Sequence, residues 1–138
     1  MKKVFFLLGI FLLTLNCAPT KTAPKSSETV ALKPEKNDDG EWDLEVLDPQ
    51  WNYFLNAVAK PVGMYSESYL KTKNTFLVSE WNSYYYARKF PNIIENLIDY
   101  DPQENYGLKF EYKLYQVFAF VQWRYGLKMN NLSMGEVR

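Results

Sequence analysis

Histidine is missing from this sequence, and cysteine occurs once, at Cys17. Without histidine, the chain lacks His-based nucleophilic triads, imidazole general bases and nearly every kind of zinc, copper or iron site. A single cysteine can form no disulfide within the chain. Catalysis would have to rest on carboxylates, tyrosine or lysine alone. We therefore predict no metal, no cofactor and no catalytic residue, and the sequence argues against an enzyme.

A clustered basic charge is also missing. The chain has 16 Lys and Arg against 16 Asp and Glu, and its basic residues are scattered. Nucleic-acid binding needs a concentrated positive surface that neutralises phosphates. We therefore expect no nucleic-acid partner.

Aromatic residues, in contrast, are abundant: 9 Phe, 4 Trp and 11 Tyr. Large rings dominate protein cores, but a small domain leaves part of its rings exposed. Two interpretations stay open, an aromatic core and an exposed platform that binds a sugar or a peptide. The residues that we single out as ligand or partner contacts are Glu80, Trp81, Tyr84, Tyr85 and Tyr86. Glu80 has a structural alternative, because in a helix it could bond Tyr84 one turn later.

The N-terminus has the pattern of an export signal. Lys2 and Lys3 precede the apolar run 4–15, and Cys17 follows it. A run of that length is too short to cross a bilayer comfortably, since a spanning helix needs about 20 residues. We interpret residues 1–16 as a signal peptide.

This segment resembles the lipobox of bacterial lipoproteins, with Leu15 and Cys17 in place. The resemblance implies cleavage before Cys17 and lipidation of that residue, which would hold the protein on a membrane. The expected location is the cell envelope, at the outer membrane and facing the periplasm. Lipoproteins exported to the cell surface tend to carry acidic residues just after the lipidated cysteine, and no acidic cluster follows Cys17. Exposure on the cell surface is the alternative.

Residues 17–41 form the lipidated N-terminus and a predicted flexible tether. This stretch contains Pro19, Pro24 and Pro34 together with Lys, Ser and Thr, and has few large apolar residues. Such a composition buries too little surface to offset the entropy of ordering. The globular domain is predicted at 42–127 and a frayed tail at 128–138.

Within the domain, the alternation at Trp42–Leu47 predicts a half-buried strand, which could pair with Leu97–Tyr100. Asp48 and Pro49 favour a helix start, and apolar residues at helical spacing follow until Pro61. The strongest helix is predicted at Leu108–Tyr125, with Gly126 as its cap. It has two apolar stripes, a core stripe that ends at Tyr125 and a second stripe on another side. We predict an α+β fold, a small helix-rich single domain with a minor β-sheet.

Residues 66–88 allow two interpretations. Ser66 could cap a helix whose apolar face includes Leu70, Leu77 and Trp81. The β-branched and aromatic residues at 74–88 would instead suit a hairpin that turns at Asn82-Ser83. We favour the helix.

Two groups of carboxylates are candidates for a site. Asp99, Asp101 and Glu104 lack the glycine and the distal glutamate of a calcium loop, so we interpret them as turn residues. A glycosidase would need two carboxylates about 5–10 Å apart. The sequence gives no indication that any two acidic side chains lie at that distance. Those considered are Glu67, Glu80, Asp99 and Glu111.

Several short strings across Trp42–Leu127 resemble an uncharacterised domain found in small lipoproteins of Bacteroidota. The strings are Leu47-Asp48-Pro49, Ala59-Lys60-Pro61, Ser79-Glu80-Trp81-Asn82, Asp99-Tyr100-Asp101-Pro102, Tyr106-Gly107-Leu108 and Tyr112-Lys113-Leu114-Tyr115. The resemblance implies one intact domain and transfers no activity. Our leading hypothesis is a non-catalytic envelope lipoprotein that binds a partner protein or organises an envelope complex. The alternative is a glycan-binding module or a carboxylate-based glycan enzyme.

Overall fold

A computed structural model describes residues 32, 34–133, 135 and 136. The predicted signal peptide, the lipobox with Cys17 and most of the predicted tether lie outside the described residues. The described elements in chain order are two short strands, a short helix, a π-helical turn, a 3₁₀ turn and two long helices. This arrangement confirms the predicted α+β class, helix-rich with a minor sheet.

The C-terminal helix α3, Leu108–Tyr125, forms the centre of the fold and matches its predicted bounds. Its middle is buried on nearly all sides, as expected for a helix with two apolar stripes. Gly126 ends it in the left-handed conformation, with φ at 70° and its N–H bonded to the Gln122 carbonyl. Tyr125 was predicted in the core stripe but is 46% exposed, because the helix has passed the core by its last turn.

Helix α2, Glu67–Tyr86, packs against α3. Of the two interpretations of residues 66–88, the helix is therefore confirmed and the hairpin is wrong. The Ser66 hydroxyl accepts a hydrogen bond from the Tyr69 N–H, as a helix N-cap does. Leu70, Leu77 and Trp81 are buried as predicted. Asn74 is buried with them, which the apolar pattern did not indicate.

The predicted helix after Asp48 is present but short. Helix α1 covers Trp51–Tyr53 and continues as one π-helical turn, Phe54–Val58. The Asp48 carboxylate accepts the N–H of Gln50 and the Asp48 carbonyl accepts that of Trp51, so Asp48 caps the start of this segment as its sequence favours. The regular helix itself begins at Trp51, directly after Gln50. The rings of Trp51 and Phe54 pack on α3, so one apolar face holds this turn in place.

The sheet corrects the predicted pairing. Strand β1, Glu35–Lys36, pairs antiparallel with β2, Trp42–Asp43, around a turn in which Gly40 has φ of 77°. Trp42–Leu47 does not pair with Leu97–Tyr100. Leu32 takes that place and bridges Ile98 in parallel, through backbone bonds to Leu97 and Asp99.

Both predicted domain boundaries therefore differ from the described structure. On the N-terminal side, ordered pairing begins at Leu32, ten residues before Trp42, because a turn rich in Asn, Asp and Gly has the composition of a linker. On the C-terminal side, the predicted tail packs against the domain. Met129, Leu132 and Glu136 are buried there.

Candidate functional site

The residues singled out from sequence lie near the C-terminal end of α2, and the structure divides them. Trp81 is only 3% exposed. Its indole N–H donates to the Asn96 carbonyl at 2.7 Å, and its ring packs edge-on against Phe118. Trp81 is thus a core residue and takes no part in an exposed aromatic surface.

Glu80 is engaged by groups of the protein itself. Its carboxylate accepts the hydroxyl of Tyr84 at 2.6 Å, which confirms the structural alternative drawn from the sequence. It also accepts the backbone and side-chain N–H groups of Asn130, at 3.0 and 2.8 Å. The hydrogen bond to Glu80 raises the pKa of Tyr84. Glu80 therefore attaches the C-terminal segment to α2.

The remaining predicted residues contribute to an aromatic surface. Tyr86 is 72% exposed and contacts the half-buried Tyr85 edge-on at 5.8 Å between ring centroids. Phe90 lies 5.6 Å from Tyr84 and is itself 45% exposed. The Lys89 ammonium lies over the Tyr84 ring at 5.5 Å. We call Tyr84, Tyr85, Tyr86 and Phe90 the α2 end patch.

The backbone below this patch is strained. Arg88 and Phe90 have φ of 51° and 55°, in the left-handed region that side chains other than glycine rarely adopt. The N–H groups of Arg88 and Lys89 bond the carbonyls of Tyr85 and Tyr84, which is the pairing of a Schellman motif with arginine where glycine is usual. Strain of this kind persists only where the surroundings impose it, and it is frequent at functional sites.

A pocket of about 400 Å³ lies at the opposite end of α2. Pro61 and the 3₁₀ turn Val62–Met64 bring the chain to Ser66, the cap of α2, and this path forms one wall. We call it the Tyr65 pocket, and its lining residues are Lys60, Met64, Tyr65, Ser66, Tyr69 and Glu136. None of these six was predicted as a contact from the sequence. Glu136 in particular lies in the C-terminal segment that was expected to be a frayed tail.

A carboxylate closes one side of the Tyr65 pocket. Glu136 is 5% exposed and accepts the hydroxyl of Tyr65 at 2.5 Å. Burial, followed by the bond to Glu136, raises the pKa of Tyr65 far above its usual value. Tyr65 thus remains a neutral donor at physiological pH.

Two polar side chains, Tyr115 and Gln116, lie fully buried behind the pocket tyrosines. The Tyr115 hydroxyl approaches Glu136 and Tyr69, and the Gln116 amide approaches Tyr65, but none of these contacts has the geometry of a full hydrogen bond. The Tyr115 ring contacts Tyr65 and Tyr69, at 5.6 and 6.4 Å between centroids. Burial and the nearby Glu136 charge raise the pKa of Tyr115.

A second buried carboxylate, Glu111, belongs to the α2–α3 interface. It accepts the amide of Asn74 at 2.7 Å and the hydroxyl of Tyr100 at 3.1 Å. Burial raises its pKa, and the bonds from Asn74 and Tyr100 act in the opposite direction. Glu111 is one of the candidate carboxylates considered from the sequence. No local sequence pattern predicts its bond with Asn74, which lies 37 residues away.

The other acidic candidates have local roles. The Asp101 carboxylate accepts the Gln103 N–H at 2.8 Å, which confirms the turn interpretation of that segment. Across the described residues, no group of three His, Cys, Asp or Glu side chains could hold a metal ion. In the same part of the chain, none of the helices combines the length and apolar character of a membrane span.

Fold and surface together define a small α+β domain with an aromatic patch at one end of α2 and a polar pocket at the other. The chain matches, over residues 5–137, a family of unknown function (DUF6146), and it belongs to that family. The match includes Cys17 as well as the described domain. No curated protein matches this chain. The same is true of the solved structures.

Proposed function

We propose that this protein is a non-catalytic, lipid-anchored module of the cell envelope that binds a partner protein through the α2 end patch. The observation that carries the proposal is this patch. Tyr86 is 72% exposed and contacts Tyr85, and Phe90 is 45% exposed and contacts Tyr84. Tyrosine, phenylalanine and arginine are enriched at protein interfaces, and Arg88 adds the cation.

The strained turn supports the same proposal. Left-handed geometry at Arg88 and Phe90 aims the chain back over the end of α2, where the Phe90 ring meets Tyr84. A helix end of this kind usually has glycine at the left-handed position, so Arg88 carries backbone strain. The turn holds Phe90 against Tyr84 before a partner arrives, which lowers the entropy lost on binding.

The proposed anchor is Cys17, the chain's one cysteine, after a basic start and an apolar run. The family match begins at residue 5, so it includes most of the apolar run and Cys17. Leu32 is the first described residue, and residues 18–31 can span at most roughly 50 Å. The domain would therefore stay within about 50 Å of the membrane, which we propose to be the outer membrane of a Bacteroidota species, on its periplasmic face.

Lipidation is tested by metabolic labelling with a palmitate analogue in cells that produce the full chain. Wild-type protein is expected to incorporate label, and Cys17→Ala is expected to lose it and leave the membrane fraction. Label that persists on Cys17→Ala would exclude this anchor. Protease added to intact cells distinguishes the two faces, since rapid loss of the domain would place it on the cell surface.

Partner binding is tested by cross-linking in cells followed by co-purification. Tyr86→Ala is the variant, and Tyr53→Ala is the matched control, because Tyr53 is also an exposed ring, at 62%, but lies in α1. A specific partner should be recovered with the wild type and with Tyr53→Ala, and at least tenfold less with Tyr86→Ala. Equal recovery with both variants would contradict the role of the α2 end patch.

A further inference from the structure

Two tyrosine rings line the Tyr65 pocket. The rings of Tyr65 and Tyr69 stack nearly parallel, with centroids 6.1 Å apart and an angle of 21° between planes. Tyr69 remains 38% exposed, so a ligand can reach it. The faces of aromatic rings carry partial negative charge, which attracts the weakly positive C–H bonds on one side of a sugar ring.

The polar groups of the pocket are balanced in charge. Lys60 contributes hydrogen-bond donors, and Glu136 contributes acceptors beyond the one bonded to Tyr65, since a carboxylate can accept about four bonds. Among the described residues, Lys60 forms no ion pair. A lone anion would be repelled by Glu136 and a lone cation by Lys60. Uncharged hydroxyl groups can bond to both residues.

The wall behind the pocket is polar as well as aromatic. The Tyr115 ring touches both pocket tyrosines, its hydroxyl lies next to Glu136 and Tyr69, and the Gln116 amide lies next to Tyr65. Both side chains are fully buried, so a ligand in the pocket would contact Tyr65, Tyr69 and Glu136 in front of them. The volume of about 400 Å³ is also that of a small-molecule site.

We infer that the Tyr65 pocket binds a neutral pyranose unit of an envelope glycan. One face of the sugar packs on Tyr69, and its hydroxyls donate to Glu136 and accept from Lys60. The site lies at the other end of α2 from the proposed partner surface. Tyr69 and Tyr86 are 17 positions apart on one helix, or about 25 Å at 1.5 Å per residue. The two sites can therefore be tested separately.

The test uses purified protein and three soluble probes, the trisaccharides of N-acetylglucosamine, glucose and mannose. Binding is read from the melting temperature and from titration calorimetry, since a ligand that binds the native state raises apparent stability. At least one trisaccharide is expected to raise the melting temperature. The N-acetylated and unsubstituted sugars distinguish peptidoglycan-like from other glycans. Glycine and alanine are included as zwitterionic probes, and stabilisation by these alone would overturn the inference.

Variants locate the binding. Tyr69→Ala is expected to weaken the affinity for the bound trisaccharide at least tenfold, whereas Tyr69→Phe keeps the ring and most of the affinity. Tyr86→Ala, the same substitution on the same helix, should leave sugar binding unchanged while it lowers partner capture at least tenfold. Full sugar affinity in a folded Tyr69→Ala protein, or no response to any of the three sugars, would overturn the inference and leave the partner proposal intact.

Discussion

Asn74 and Glu111 are polar side chains buried between the two long helices. The Asn74 amide donates to the Glu111 carboxylate at 2.7 Å and to the Glu111 carbonyl at 2.8 Å. Asn74→Ala removes both bonds and leaves the buried carboxylate with Tyr100 as its remaining side-chain donor. Because a buried group without its partner costs about 1–3 kcal/mol, we expect the free energy of unfolding to fall by about 2–3 kcal/mol.

Urea denaturation followed by far-UV circular dichroism measures this change. The matched control is Asn56→Ala, because Asn56 is exposed and its amide donates only to the Asn52 carbonyl one turn earlier. The control should change stability by less than about 0.5 kcal/mol. Similar stability for the two variants would show that the α2–α3 bond contributes nothing.

Glu111 also gives the fold a pH dependence of defined sign. Burial raises the pKa of this carboxyl above its ordinary 4.5 in the folded protein. The folded state therefore holds the proton more tightly than the unfolded chain, and stability falls as pH rises from 4.5 through the raised pKa. Glu111→Gln removes this titration. The wild type should gain stability relative to Glu111→Gln as the pH is lowered from 7.5 to 4.5.

The measurement is urea unfolding of both proteins at several pH values in that range. Partial burial acts to raise the pKa of Asp43, but its bonds with Lys113 and the Leu44 N–H together lower that pKa, so Asp43 titrates at lower pH, and it is common to both proteins. Its effect cancels in the comparison. A constant difference between the two proteins from pH 7.5 to 4.5 would show that burial does not perturb Glu111.

Helix α2 ends in a Schellman motif with an unusual residue. Arg88 occupies the left-handed position, where a side chain costs about 1–2 kcal/mol relative to glycine. Arg88→Gly relieves this cost. Because glycine also has more freedom in the unfolded chain, which offsets part of the gain, the free energy of unfolding should rise by only about 1 kcal/mol. Ala87→Gly is the opposite control, because Ala87 has φ of −78° and glycine there should destabilise. Thermal unfolding of both variants checks the two signs.

The long helices are the elements that sequence reasoning predicted well. Apolar residues at helical spacing, Ser66 at one start and Gly126 at one end are local signals, and local signals suffice to place a helix. The α2 end patch was predicted only in part. Trp81 and Tyr86 are both aromatic residues on the same helix, and nothing in the local sequence distinguishes them. Trp81 is buried because it packs against Phe118 of another helix. No local pattern separates a buried ring from an exposed one on the same helix.

The two ends of the described chain were predicted least well, for one physical reason. Leu32 pairs with Ile98, and Glu136 bonds Tyr65 from 71 positions away. Both segments are short and polar, so they carry little periodicity of their own and are ordered only by contacts with the finished domain. The Tyr65 pocket could not be predicted for the same reason, since one of its walls is such a segment.

The N-terminal contact leads to a prediction about the whole molecule. A chain that begins at Trp42, the boundary suggested by the sequence, should be less stable than one that begins at Val30. It lacks the backbone bonds of Leu32 to Leu97 and Asp99, at 2.8 and 3.0 Å, and the pairing of β1 with β2. At a net value of about 1 kcal/mol for each hydrogen bond, we expect a loss of about 3 kcal/mol.

Both chains lack the apolar run at 4–15, so they can be compared in the same buffer by urea denaturation. Hydrogen exchange locates the effect, because the Asp99 amide, which donates to Leu32, should lose protection in the shorter chain. The Gly126 amide, which caps α3 through Gln122, is the internal reference for the helical core. If the two chains unfold at the same urea concentration and protect Asp99 equally, then Leu32 and β1 lie on the domain without stabilising it, and Trp42 is the true start of the cooperative unit.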